Sequence, residues 1–211
     1  MKMYGSMVLR GVVLPTVFAL LFAVSGAALA SGKDAAQFIH RFGNQTIETL
    51  RAPGLTPDER RDRVRGLLIQ GFDIAFIGRF VIGRYWRLAT PDQRGDYIAL
   101  YGEFFLQTYA PRIADFAGQT FTVTGARRAN DKDFVVRTRI SRPGGAPLTA
   151  DWRVRKFDDR YRVIDIMVEG VSMAITQRSE FASVAQRRGL DGLLAILRAR
   201  TANISEIASI N

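Results

Sequence analysis

The feature that most constrains this chain is a change of period. Between Gln119 and Glu169 apolar and polar residues alternate, whereas on either side of that block the apolar positions recur every three or four residues. The segments "TFTVTG", "DFVVRTRI", "LTADWRVRK" and "YRVIDIMVE" are separated by "GARRANDKD", "SRPGGAP" and "FDDR". Alternating runs joined by short turn-forming stretches predict a four-stranded antiparallel meander. Helices, then strands, then helices give an α+β fold in which the helices gather against one antiparallel sheet. Residues 163–168 are apolar on both parities apart from Asp165, so the last strand is expected to be buried on both sides.

The helical segments carry their own punctuation. Asp34 to Leu50 places Phe38, Ile39, Phe42, Ile47 and Leu50 on one face and stops at "APGLTP". Thr56, Pro57 and Glu59 form an N-terminal capping signature for a second helix, with Val64, Leu67 and Leu68 inward. "FDIAFIGRFVIGRYW" is apolar on nearly all sides and is expected to be buried on more than one face. "TPDQR" starts another helix by the same Thr-Pro device, with Tyr97, Leu100, Tyr101, Phe104, Phe105, Thr108 and Tyr109 as one aromatic face up to Pro111. After Glu169 the chain returns to helix, with Phe181, Val184 and Ala185 inward, then Leu190, Leu193, Leu194 and Leu197 after Gly189. The tail 201–211 shows no partner in the sequence and is expected to fray.

Residues 1–30 read as an export leader: Lys2 and Arg10, the apolar core "VVLPTVFALLFAV", and the small-residue signal "ALA" before Ser31. The apolar core is shorter than the roughly 20 residues of a bilayer span. Cleavage after Ala30 and a periplasmic location are the expectation, leaving residues 31–200 as a single domain. Without its two basic leader residues the chain's net charge falls from +10 to +8, which favours membrane surfaces, lipid headgroups and acidic protein faces. Export argues against nucleic acid as a partner. Cysteine is absent, which excludes a disulfide frame and any thiolate ligand or nucleophile.

Catalytic chemistry has few places to reside. Asp165 and Glu169 lie four residues apart on a strand, roughly 13 Å at about 3.3 Å per residue, beyond the ~5–9.5 Å of paired glycosidase carboxylates. They read as an acid partnered by an arginine or a backbone donor and a glutamate at a strand exit. His40, the single histidine, sits beside Arg41 on the first helix, and no "GxSxG" elbow is present. The ligand set of a zinc site is missing. "RPGGAP" is a hairpin loop, since neither a lysine nor a helix start follows its glycines. The chain is therefore expected not to be an enzyme and to need no metal or cofactor. What it has in excess is large apolar residues facing a small sheet, which fill a core or line a pocket for a hydrophobic ligand.

"FDIAFIGRFVIGRYWRLATPDQRGDYIALYGEFFLQTY", the W-x-V-x-K of Trp152 to Lys156, and "VIDIMVEGVSMAITQRSEF" followed by "GLDGLLAIL" resemble the periplasmic phospholipid carriers of the MlaC, or toluene-tolerance, family. The similarity runs from about Asp34 to Leu197, and a branch of this family is associated with hopanoid metabolism. The resemblance implies helices and a sheet around an apolar lipid cavity, and shuttling of phospholipid between an inner-membrane MCE-type ABC transporter complex and an outer-membrane lipoprotein complex. It also implies that Asp165, Glu169, Gly170, Val171 and Ser172, with Arg178 and Phe181 after them, are a structural signature.

Trp152, Val154, Phe134 and Val136 are the expected inner face of the sheet, opposite Tyr97, Leu100, Tyr101, Phe104 and Phe105, with Phe76, Ile164 and Ile166 completing the candidate lipid contacts. A two-residue turn at Asp158 and Asp159 would pair Trp152 with Asp165; a loop one residue longer would set Trp152 opposite Ile164 or Ile166. A charge at Leu100 or Val136 is expected to lower bound lipid without unfolding the protein. The competing classes are a small periplasmic hydrolase working through Asp165 and a basic scaffold with a filled core.

Overall fold

The computed structural model describes residues 24–114, 119–141, 144–158 and 160–210. Most of the expected leader, and residues 142, 143 and 159 of two expected turns, lie outside them. Five helices precede the sheet: α1 (Val24–Arg51), α2 (Pro57–Gly71), α3 (Ile74–Ile82), α4 (Tyr85–Leu88) and α5 (Pro91–Ala114). Then come β1 (Thr120–Arg128), β2 (Asp133–Ser141), β3 (Leu148–Phe157), β4 (Arg160–Val168), β5 (Val171–Ser172) and α6 (Met173–Ile210). The sheet is an open antiparallel meander in the order β1-β2-β3-β4-β5.

Both Thr-Pro starts are capping boxes. The Thr56 backbone N–H donates to Glu59 Oε2 at 2.9 Å while Glu59 N–H donates to Thr56 Oγ1 at 3.2 Å. Thr90 and Gln93 repeat the exchange at 3.0 and 3.2 Å. Each box satisfies donors that a helix start leaves open. Pro111 does not end its helix, which runs on to Ala114. Gly189, at φ 69° and ψ −179°, breaks α6 into the two helical stretches expected around it. The second stretch passes through Thr201, which is buried and whose carbonyl accepts from Gln107 Nε2.

Two expectations need correction. "FDIAFIGRFVIGRYW" is not buried on several faces: α3 buries Ile77, Gly78, Val81 and Ile82, but Phe80 is exposed and α4 buries nothing. The reason is Gly83, whose φ of 60° and ψ of −126° end α3 and turn Tyr85 to Leu88 across the surface. The sheet also has a fifth, two-residue strand. Glu169 and Gly170, both at positive φ (47° and 82°), form the tight reversal between Val168 and Val171 that hairpins with two-residue turns require.

The β3–β4 register is reached by a route the turn alone does not reveal. The turn is two residues long, with Phe157 opposite Arg160, yet Trp152 pairs with Ile166. Ile164 is the extra residue: Val154 pairs with Val163 and Arg153 with Asp165. The bulge explains why Val163 and Ile164 are both buried despite opposite parity. Phe72 bridges Val163 in parallel, so the edge of β4 beyond β5 is covered by the chain leaving α2.

Candidate functional site

The apolar face of the sheet is filled at one half and open at the other. Around the β1–β2 turn, Phe134 meets Tyr161 (ring centroids 6.1 Å) and Tyr161 meets Phe38 of α1 (6.2 Å). These rings, with Val136 and Val154 fully buried beside them, close that half. Toward the other end the sheet presents Ala150 between Thr138 and Val168. The small side chain leaves a space, and a cavity of about 300 Å³ lies there.

Its floor is Trp152, held by a hydrogen bond from Nε1 to Thr138 Oγ1 (2.9 Å), which itself donates to the Ala150 carbonyl (3.1 Å). Phe42, Phe72 and Phe121 surround the indole at 6.0, 6.5 and 5.9 Å between centroids. Ile140, Ile166 and Val168 extend the floor; Thr46, Ile47, Leu50, Leu68 and Ile77 form walls from α1, α2 and α3. From α5 the wall residues are Tyr101, Phe105, Tyr109, Arg112 and Ile113. Met173, Ala174 and Gln177 close it from α6. Gly43 also belongs to the wall, and a Cβ there would come within 2.4 Å of the Phe121 ring.

The inner polar groups are already engaged. Tyr101 Oη donates to Gln177 Oε1 at 2.5 Å, and burial pushes the Tyr101 pKa well up, so it stays a neutral donor. Asp165 accepts from Ser172 Oγ (2.6 Å) and from the Ala174 backbone N–H (3.1 Å), while Ser172 Oγ accepts from Ile175 N–H (3.1 Å). Together these cap the start of α6. Glu169 Oε1 accepts from Thr149 N–H on β3 at 2.6 Å, which offsets the cost of a non-glycine at positive φ. Each carboxylate thus accepts from a backbone N–H, Asp165 from a hydroxyl as well. The exposed polar residues, Arg112 and Thr120, lie where α5 ends and β1 begins. Arg51 donates to the Gln119 carbonyl at that rim (3.3 Å), and Gln119 Oε1 is buried without a partner.

Of the candidate contacts, Tyr101, Phe105, Trp152 and Ile166 line the cavity. The other eight do not. Phe134, Val136 and Val154 share the sheet face with Trp152 but belong to its filled half. Tyr97 is fully buried, with its hydroxyl on the Gly78 carbonyl (2.9 Å), and Phe104 packs on Phe181 (5.7 Å). Leu100 packs against the core without reaching the cavity, and Ile164 occupies the bulge. Phe76 lies under the Arg155 guanidinium at 4.5 Å, away from the cavity.

Sequence reasoning missed Phe42, Phe72 and Phe121 as cavity residues. A signal existed: Gly43 follows Phe42 and Gly71 precedes Phe72, and each glycine accepts a ring where a Cβ would stand at 2.4 Å. His40 is exposed on α1, and among the described residues no cluster of His, Asp or Glu could hold a metal ion. The cavity can exclude water from hydrocarbon, and Asp165 is the carboxylate among its lining residues.

Comparison with known proteins agrees with this geometry. The chain is 25% identical over 142 residues to the intermembrane phospholipid transport system binding protein MlaC of Haemophilus influenzae, covering 65% of this chain and 66% of that protein. It is 24% identical over 108 residues to the toluene tolerance protein ttg2D of Pseudomonas putida, covering 51% and 50%. The match thus spans less than two thirds of either curated relative. A phospholipid-binding protein from Ralstonia solanacearum, solved in complex with a phospholipid, superposes with a TM-score of 0.70 at 28% identity, covering 81% of this chain and 98% of that one. The model of the MlaC protein family matches residues 40–199, most of the chain, and the protein belongs to that family.

Proposed function

We propose that this protein is a periplasmic lipid carrier that takes phospholipid acyl chains into the cavity beside Trp152 and moves them between the inner and outer membranes. The observation that carries the reading is the cavity itself: about 300 Å³, floored and walled by aromatic and aliphatic side chains, with exposed polar groups at one rim. A chain of roughly 16 carbons costs on the order of 12 kcal/mol to bring into water, at about 0.8 kcal/mol per methylene. An enclosed apolar site offsets that cost, and a surface patch does not. The phospholipid complex of the Ralstonia relative supports the same ligand class.

In this reading the leader is removed after Ala30, the donor and acceptor are an inner-membrane MCE-type ABC transporter complex and an outer-membrane lipoprotein complex, and no bond of the lipid is broken. The test is native mass spectrometry of the protein isolated from the periplasm without detergent, followed by lipid extraction. The expected result is a stoichiometric adduct that resolves into intact phospholipid. A bare polypeptide mass, unchanged after incubation with phospholipid vesicles, would overturn the proposal, and a cleaved lipid would favour the hydrolase.

A further inference from the structure

The surface opposite the cavity wall, on α3, α4 and the first turns of α6, combines exposed apolar groups with arginines that have no carboxylate partner. Residues 74–91 contain Arg79, Arg84 and Arg87 and no acidic residue, and Arg178 is the only charged residue between 173 and 179. Among the described residues none of these four arginines forms a salt bridge. Three of them stack on rings instead, and Arg87 is exposed. Arg178 lies over Phe80 at 4.9 Å, Arg79 over Trp86 at 5.5 Å, and Arg84 over Tyr85 at 5.1 Å. Leu88 is 74% exposed and Ile175 57%, so apolar groups here face solvent.

The other arginine-rich surface, on the sheet, is built differently. There Arg153 and Arg155 hold Asp133, and Arg137 holds Asp151, so much of the charge is compensated internally. An isolated exposed leucine needs no explanation, but exposed Leu88, Phe80 and Ile175 among stacked, unpaired arginines do. From this we infer that the α3–α4–α6 face is a docking surface for an anionic phospholipid bilayer. Guanidinium groups match phosphate in a bidentate way, tryptophan and tyrosine suit the headgroup layer, and an exposed leucine gains by entering the acyl boundary. No helix among the described residues is long and apolar enough to cross a membrane, so the contact is peripheral. The same helices give Ile77, Ala174 and Gln177 to the cavity, and docking sets that wall of the cavity beside the bilayer. This inference extends the carrier reading but stands on surface residues alone.

The test is co-sedimentation of the purified protein with phosphatidylcholine vesicles, with and without phosphatidylglycerol, at low and high salt. Two double variants with equal charge change are compared: R79E/R87E on the proposed face and R127E/R139E on the sheet. Leu88→Asp serves as a variant at a position too exposed to affect folding. At about 1 kcal/mol per basic residue near an anionic surface, R79E/R87E is expected to weaken binding to phosphatidylglycerol vesicles at least tenfold. Leu88→Asp is expected to weaken it severalfold, and R127E/R139E about twofold or less. Equal loss from both double variants, or no preference for phosphatidylglycerol, overturns the inference. Vesicle binding unchanged in R79E/R87E also overturns it and leaves an acidic protein face as the occupant. Native mass spectra of the same variants keep the two proposals apart, since retained lipid with lost vesicle binding leaves the carrier reading intact.

Discussion

Asp133 is the one charged side chain among the buried residues described. It is fully buried on β2, accepts from Arg155 Nε at 2.6 Å, from Arg153 Nη2 at 2.7 Å and from Asn130 Nδ2 at 2.9 Å. Burial pushes its carboxyl pKa up, but the hydrogen bonds from Arg155, Asn130 and Arg153 outweigh burial and hold it at about 2, against an ordinary 3.8. A folded pKa below the unfolded one means that the unfolded chain binds more protons between those values. Its stabilisation is therefore complete above about pH 4 and is lost as pH falls through 2. Asp133→Asn is expected to cost about 2–4 kcal/mol at neutral pH and to flatten the acid limb of stability, measured by urea unfolding at stepped pH; an unchanged limb would assign the acid sensitivity elsewhere. Asp165→Asn loses one of two accepted hydrogen bonds at the start of α6 and is expected to cost about 1–2 kcal/mol, with lipid occupancy in native mass spectra unchanged. A backbone donor for Asp165 was among the partners the sequence suggested, and Ala174 N–H supplies one. The arginine partners of Asp133 were not legible, because they lie twenty and twenty-two positions away and become neighbours only through strand pairing.

At the scale of elements, close approach decides what a glycine does. Gly78 on α3 faces Tyr101, whose ring would stand 2.6 Å from a Cβ. Gly95 on α5 has nothing within 4 Å. Gly→Ala in a helix favours folding by about 0.5–1 kcal/mol where there is room, and overpacking costs about 1–3 kcal/mol where there is none. Gly95→Ala is thus expected to raise stability and Gly78→Ala to lower it, by opposite shifts of the thermal midpoint. Helix starts were readable because capping boxes are local: Thr56 with Glu59 and Thr90 with Gln93 each lie within one turn. The strands were readable from alternation. The bulge at Ile164 and the two-residue β5 were not: the hydrogen bond from Ser172 to Asp165 that accompanies them has no local signal.

For the whole molecule, the question is why one half of the sheet face is filled and the other open. The sequence shows an apolar face; it does not show that Phe38, Tyr161 and Phe134 converge on one end while Ala150 and Gly43 thin the other. For this reason Val136 is a poor probe of ligand binding: it is fully buried away from the cavity, so a charge there is expected to unfold the protein, not merely lower bound lipid. Ala150 is the better position. It lines the cavity and is 2% exposed, so Ala150→Leu adds methylenes into empty space where Val136→Asp would bury an unpaired charge. If the cavity holds acyl chains, Ala150→Leu is expected to keep or slightly raise the thermal midpoint of lipid-stripped protein while cutting the lipid adduct in native mass spectra severalfold. A stable variant with full lipid occupancy would show that the acyl chains lie elsewhere. Loss of both stability and occupancy would show that the space beside Trp152 cannot take three more carbons.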